Sequence, residues 1–494
     1  MLTPPNGRRK GILERIAYRV MKERGFLPDF SGAAFNELEK IQQVDGGVES
    51  PGKDLRHLLW ASIDNDDSLD LDQLTVAETL PDKTVKILVA VADVDALVKK
   101  NSAIDEHARQ NTTSVYTAGK TFPMLPEKLS TDLTSLNYQE DRPAMVIEMA
   151  INEVGKIQSP DIYRALVRNH AKLAYNSVAA WLEGKGPIPE AVAIAPGLVE
   201  NLRIQDRVAQ QLKALRHEHG ALDLQTLEAR PIFAGDEIQD LRAEERNRAK
   251  EIIDDFMIAA NGVTARFLHG KKVPSLRRMV RSPKRWGRIV EIAAQHNSPL
   301  PSEPDSKALA SFLAAQKAAD PLRFPDLSLS VIKLLGPGEY VVERPEEAVP
   351  GHFGLAVKDY THSTAPNRRF PDLITQRILK AALDGSPMSY SQDELAELAR
   401  HCTEKEDDAN KVERLVAKSA AAMLLSSRIG DPFDAICTGA ADKGTWVRIF
   451  HPPIEGRLIY GYQGVDVGNR LKVQLIHTDV EKGYIDFQKI HLGL

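Results

Sequence analysis

Cysteine is nearly absent from this sequence. The 494 residues hold two, Cys402 and Cys437, far apart and without a CxxC spacing. A disulfide framework and a cysteine-built zinc site are thereby excluded, and a reducing compartment, the cytoplasm, is expected. Long apolar runs are missing too. No stretch reaches the roughly 18 residues of a membrane span, and the N-terminal MLTPPNGRRK brings charges in before an apolar core can form. A soluble chain with no membrane partner follows as an expectation. Neither charge sign dominates: 64 Lys and Arg face 69 Asp and Glu, a formal net charge of -5. That excludes a uniformly basic coat for polyanions and leaves open a local basic groove. Aromatics make up only 6%, but 43% hydrophobic residues supply ample core, enough for two to four domains.

Familiar catalytic signatures are also lacking: HExxH, GxSxG and GxGxxG do not occur. Ala118-Gly119-Lys120-Thr121 imitates the end of a phosphate-binding loop. It fails because Ser114 stands where the first Gly belongs and because Pro123 and Pro126 forbid the helix that should follow. His217 and His219 have no carboxylate partner arranged nearby and read as residues at a helix end.

What is present divides the chain into three. From Gly11 to Arg24, Ile12, Leu13, Ile16, Val20 and Met21 recur at helical spacing before Gly25, and Ser31 can cap a second helix with Phe35, Leu38 and Ile41 as its stripe. Residues 1–55 therefore read as a small helical unit, either a cap on the next domain or a helix-turn-helix-like nucleic-acid module. Residues 56–430 read as a mixed α/β (α+β) body, with apolar strands at 58–63, 85–91 and 145–151 and helices at 246–268, 286–295, 305–318, 371–384 and 404–427. Residues 431–494 return to short strands between Gly-containing turns, the size and count of a five-stranded OB-type barrel.

The sharpest local signal is Ser62-Ile63-Asp64-Asn65-Asp66-Asp67-Ser68-Leu69-Asp70-Leu71-Asp72-Gln73, five carboxylates in nine residues directly after an apolar strand. Such crowding is repulsive unless a cation or solvent relieves it. A strand that delivers Asp64 to a turn, with Asp70 and Asp72 sharing one face of the returning strand, would aim three hard oxygen ligands at one point, suited to Mg²⁺ or Mn²⁺. An EF-hand fails, since Leu69 replaces its turn Gly and Thr75 its bidentate Glu. A solvated acidic loop is the bland alternative. Basic residues cluster as well: Lys271 to Arg288 holds eight Lys or Arg, Arg277 among them, and no acid, and Asn367-Arg368-Arg369 forms a second knot. These are either a track for a polyanion or charges neutralised by acids elsewhere. Acids for a metal together with arginines for phosphate are the two halves of metal-assisted phosphodiester hydrolysis.

In this order the segments SIDNDDSLDLDQ, LVAVADVDALV, TTSVYTAGKTFPMLPEKLSTDLTSLN, HAKLAYNSVAAWL, EIIDDFMIAANGVTARFL and HFGLAVKDYTHSTAPNRRFPDLITQRIL resemble the ribonuclease II and ribonuclease R group of exoribonucleases, over about residues 56 to 494. The resemblance implies an S1-type RNA-binding barrel at the C-terminus. It also implies Mg²⁺-dependent 3′ to 5′ hydrolysis of single-stranded RNA to nucleoside 5′-monophosphates, by a monomer with a threading channel. Asp64, Asp70 and Asp72 fall on three of the family's four clustered aspartates, with Asp72 closest to catalysis. Gln73 replaces the fourth; its carbonyl can ligate a cation but brings no charge, and Asp66 or Asp67 is expected to compensate. Tyr116 and Tyr175 match the tyrosines that pack on the 3′-terminal nucleotides, and Phe233 is the further stacking candidate. Arg368, in Thr364-Ala365-Pro366-Asn367-Arg368, is implied to clamp the scissile phosphate. Asp254 or Asp255 stands where a carboxylate would accept from a ribose 2′-OH, and Arg277 and Arg369 are expected RNA contacts. The helical unit is expected to help RNA thread in. The alternative is a non-catalytic RNA-binding protein on the same scaffold, because Gln73 removes an acid.

Overall fold

The computed structural model describes residues 9–41, 52–225, 229–235, 237–243, 246–321, 323–345, 347, 351–441 and 443–490. At its centre is a seven-stranded mixed sheet. Its spatial order is Lys53–Asp54, Ile157–Arg168, Asp141–Ile151, Val85–Ala92, Gln73–Thr79, Ala61–Asp64 and Ala171–Ala174. Val85–Ala92 is the middle strand, covered on both faces, and all but one of its residues are buried. That is why it reads as an unbroken apolar run rather than an alternating one. The outer pairs, Lys53–Asp54 with Ile157–Arg168 and Ala61–Asp64 with Ala171–Ala174, are parallel; the pairs between are antiparallel.

Two helices carry residues to this sheet. Arg248–Gly270 starts where the Asn247 side chain accepts the Lys250 N–H, and it buries Ile252, Phe256, Ala260 and Val263. Phe370–Asp384 has Pro371 in its first turn and ends at Gly385 in the left-handed region, φ 65°. It is buried almost all round, so its interior polar residues are partnered. The Gln376 amide donates to the Ala92 carbonyl, and Arg377 pairs with Asp95 and Asp105.

A third helix, Gln392–Leu425, runs 34 residues, or about 51 Å at 1.5 Å per residue. It begins twelve residues before the expected 404, at the cap Ser391, whose hydroxyl accepts the Glu394 N–H. The helix Arg9–Glu23 lies on it, burying Leu13, Ile16, Ala17, Val20 and Met21 in one cluster with Val412, Val416 and Ala420, and with Val115 and Phe122. The shorter helix Gly32–Leu38 packs on Ala103–Asn111. The first helix of the N-terminal unit spends its apolar stripe on the body of the protein, while Phe35 of the second is 50% exposed. Pro432–Ala441, Gly444–Ile449, Glu455–Tyr460, Tyr484–Lys489 and Arg470–Asp479 close into a five-stranded barrel filled by Val447, Ile449, Leu458, Val473, Leu475 and Phe487. Among the described residues no helix is long and apolar enough to cross a membrane.

Candidate active site

The acidic segment is the connection between two neighbouring strands. Asp64 closes Ala61–Asp64 and caps the turn by accepting the Asn65 N–H at 2.7 Å. The returning strand begins only at Gln73, so Asp70 and Asp72 lie on the extended run leading into it. Leu71 between them is buried and donates its N–H to the Ser135 hydroxyl, while the Asp72 carbonyl accepts from Ala92 N–H at 3.0 Å. Alternation about this pinned Leu turns both acids the same way.

Asp72 is 3% exposed. Its Oδ1 accepts the Asn367 N–H at 2.9 Å; its Oδ2 is buried with no hydrogen-bond partner and lies 3.4 Å from Arg368 Nε. Burial pushes this carboxyl up to about 7, Asp70 and Asp372 push the same way, and Arg368 and the Asn367 N–H offset only part of it. Asp70 is raised too, by burial first and by Asp64, against the Tyr116 hydroxyl, which donates to Asp70 Oδ2 at 3.1 Å. Each acid thus acts on the next: the three aspartates share one electrostatic site. Asp66 and Asp67 sit exposed at the turn.

The arginine loop reaches this site from almost 300 residues away, held by contacts the sequence did not announce. Asp372 is fully buried, and its Oδ1 accepts from Thr364 N–H at 2.9 Å, Ala365 N–H at 2.8 Å and Arg369 Nη2 at 2.7 Å. The Gln73 amide nitrogen donates to the Thr364 carbonyl, so the residue standing for a fourth acid ties the acidic strand to the arginine loop. The Arg368 carbonyl accepts from Ser114 N–H at 2.9 Å and from the Thr113 hydroxyl, which laces this loop to the Val115–Tyr116 strand. The Tyr116 N–H is held by Glu413 at 2.8 Å, and the residue is 46% exposed. Only Asp372 left a sequence signal, an acid in the first turn of a helix that follows two arginines.

Tyr175 follows Ala174, the residue in register with Asp64, so it stands just past the strand end beside the acids, half-buried, with Lys250 Nζ 5.7 Å from its ring centre. The paired acids of Arg248–Gly270 divide. Asp255 is buried in an ion pair with Arg216, whereas Asp254 is exposed, its carboxyl raised because surrounding protein limits its hydration. Phe233 belongs to the strand Ala229–Ala234, and its side chain lies outside the described residues.

The basic run is a correction. Arg277 is 3% exposed and paired with Glu343, so it presents no free guanidinium to a polyanion. Arg278 is bidentate on Glu406, Arg281 pairs with Glu339 and Arg288 with Glu291. Glu343, Glu339 and Glu406 lie on another strand or helix, where the local sequence could not reveal them, whereas Glu291 is one turn on in the helix of Arg288 itself. Arg369 is likewise committed to Asp372: burial works most strongly against its charge, but Asp372 together with Tyr340 and Tyr360 outweighs it and the guanidinium stays protonated.

Among the described residues no three Asp, Glu, His or Cys side chains stand close enough to form a ready-made metal cage. The donor set nevertheless fits a hard divalent cation. It offers carboxylate oxygens under mutual repulsion, one of which, Asp72 Oδ2, is buried without a partner. Such a site, with a guanidinium beside it and an exposed tyrosine ring as one wall, is equipped to hold a phosphodiester and a stacked base.

An RNB-domain family model matches residues 52–385, which contain every residue named above from Asp64 to Asp372. The chain belongs to the RNB family. A second model, the RNase II-type exonuclease C-terminal S1 domain, matches residues 431–490, the closed barrel. The chain is 31% identical to Ribonuclease R of Vibrio parahaemolyticus over 92% of its own length and 58% of that protein. It is 30% identical to Ribonuclease R of Aquifex aeolicus over 96% and 70%. The chain thus spans a little more than half the length of the first of these curated relatives. The solved structure of Mycoplasma genitalium RNase R in complex with ribose methylated single-stranded RNA superposes with TM-score 0.86 and 22% identity, covering 97% of this chain and 78% of that one, and shares its fold. RNB-domain nucleases generally work with a divalent metal.

Proposed function

We propose that this RNB protein is a hydrolytic 3′ to 5′ exoribonuclease that shortens single-stranded RNA to nucleoside 5′-monophosphates with Mg²⁺, acting as a monomer. One observation carries the reading: a buried carboxylate oxygen, Asp72 Oδ2, with no hydrogen-bond partner and 3.4 Å from Arg368. A bound divalent ion supplies Lewis-acid polarisation of the phosphate and a more acidic water. Asp64, Asp70 and Asp72 would hold it. The Gln73 side chain holds the Thr364 carbonyl and so keeps the arginine loop in place. Arg368, 41% exposed at its side chain, keeps donors for the scissile phosphate, and its planar fork suits the charge that builds there.

Tyr116 and Tyr175 would stack on the terminal bases, which gives digestion without sequence preference. Asp254, the exposed member of its pair, is the acid available to a ribose 2′-OH. Two buried, unpaired cysteines fit a cytoplasmic location.

The test is incubation of a 5′-labelled oligoribonucleotide with the protein and Mg²⁺, beside Asp72→Asn and a deoxy strand of the same sequence. A ladder descending to a short labelled remnant, absent with the variant and with DNA, is expected. Binding without shortening would instead favour the RNA-binding scaffold that Gln73 suggests.

A further inference from the structure

Tyr116 sits on a small hairpin in which Val115 pairs with Phe122 and Tyr116 with Thr121. The turn is fastened by Thr117, whose hydroxyl donates to the Lys120 carbonyl at 2.6 Å and accepts the Lys120 N–H. The tip of this hairpin is pressed backbone to backbone on the helix Arg9–Glu23. A Cβ added at Gly119 would lie 2.7 Å from both Glu14 N and the Leu13 carbonyl carbon. No side chain fits there without moving helix or hairpin.

The two arms of the hairpin bury Val115 and Phe122 against Leu13, Ile16 and Val20 of the same helix. That helix is itself fixed, since it packs on Ala409, Val412, Val416 and Ala420 of Gln392–Leu425 and Lys405 Nζ donates to the Arg24 and Gly25 carbonyls at its C-terminal end. The Tyr116 side chain reaches from the hairpin to the acids, where its hydroxyl donates to Asp70 Oδ2.

We infer that the helix Arg9–Glu23, through the seat it gives Gly119, is a positioning element for Tyr116 and thereby sets how short an RNA the site can hold. This rests on the exoribonuclease reading above. A long strand is held along many nucleotides and tolerates a displaced ring; a short one depends on the few stacks at its 3′ end. Displacing Tyr116 therefore weakens binding of short substrates selectively.

The experiment compares wild type, Gly119→Ala and Leu13→Val on a 5′-labelled strand of ~30 nucleotides and on oligoribonucleotides of about six or fewer, with thermal midpoints recorded for each. Gly119→Ala is expected to lengthen the smallest labelled remnant by at least one nucleotide. Its KM for the short oligonucleotides should rise about tenfold, the scale of one lost base stack, with kcat on the long strand within about threefold of wild type. Leu13→Val, which removes one methylene behind the hairpin and preserves the fold, should move the same quantities in the same direction by less, and it carries the test if Gly119→Ala does not fold. Folded variants with the wild-type remnant and wild-type KM for short RNA would overturn the inference. A wild-type protein that leaves both RNAs intact would instead overturn the exoribonuclease reading.

Discussion

Replacing Asp72 with Asn should strengthen the metal-free protein while removing its activity. The buried Asp72 carboxyl titrates near 7 instead of the ordinary 3.8. At 1.36 kcal/mol per pH unit this burial costs the ionised form about 4 kcal/mol, an upper bound for a site whose neighbours relax. The sign follows from proton counting. Below about pH 4 folded and unfolded chains both hold the proton, and the group contributes nothing. Between about 4 and 7 the unfolded chain has released it while the folded chain keeps it, so stability falls as pH rises, and above 7 the whole penalty is present. Asn keeps the side chain's shape without the charge.

Denaturant titration of both proteins in a chelator, at pH 5 and pH 8, reads the effect of the Asp72 charge together with its coupling to Asp70 and Asp372, because groups remote from the site are common to the two. The variant should be more stable at pH 8 by about 1–4 kcal/mol, and its advantage should shrink by up to about 2–3 kcal/mol at pH 5. Added Mg²⁺ should restore the wild type and leave the variant unmoved. An advantage independent of pH, or a variant weaker than wild type at pH 8, would refute the picture of a carboxylate held against its solvation.

The same proton competes with the metal. The Mg²⁺ concentration for half-maximal rate should rise about tenfold per pH unit as pH falls below 7 and level off above it, and a flat profile between pH 6 and 8 would contradict this. Arg368→Lys should lower kcat about a hundredfold with single-strand affinity nearly unchanged, because an ammonium cannot present a planar fork; single-turnover rates and filter binding measure the two separately. Asp372→Ala should cost about 3–5 kcal/mol in denaturant unfolding, since it strands the Thr364 and Ala365 N–H groups and the Arg369 guanidinium in a buried place.

Much of the frame was legible from local pattern. The apolar run at 85–91 announced a strand, and the helices at 286–295 and 371–384 lie within a residue of their expected bounds. The barrel followed from strand count and turn spacing. Asp64, Asp70 and Asp72 were visible because like charges at that density need a reason. What stayed hidden was pairing at a distance. Arg277 looked free because Glu343, which neutralises it, arrives 66 residues later on the neighbouring strand. Asp254 and Asp255 were interchangeable as letters and separated only when helix packing turned one inward to Arg216 and the other outward. The part Gln73 plays emerged only when Thr364 was brought beside it. The N-terminal helix could not be assigned to cap or module because amphipathicity states that a face is buried, not against what.

The 34-residue helix works as a ruler. With the Arg448–Asp326 ion pair, its length sets where the barrel is carried relative to the central sheet. An insertion of four residues in its span would push the barrel outward by about 6 Å and rotate it by about 40°. Loops around this molecule can lengthen at small cost, but this rod cannot, and drift in its length across relatives would mean a barrel seated differently over the sheet.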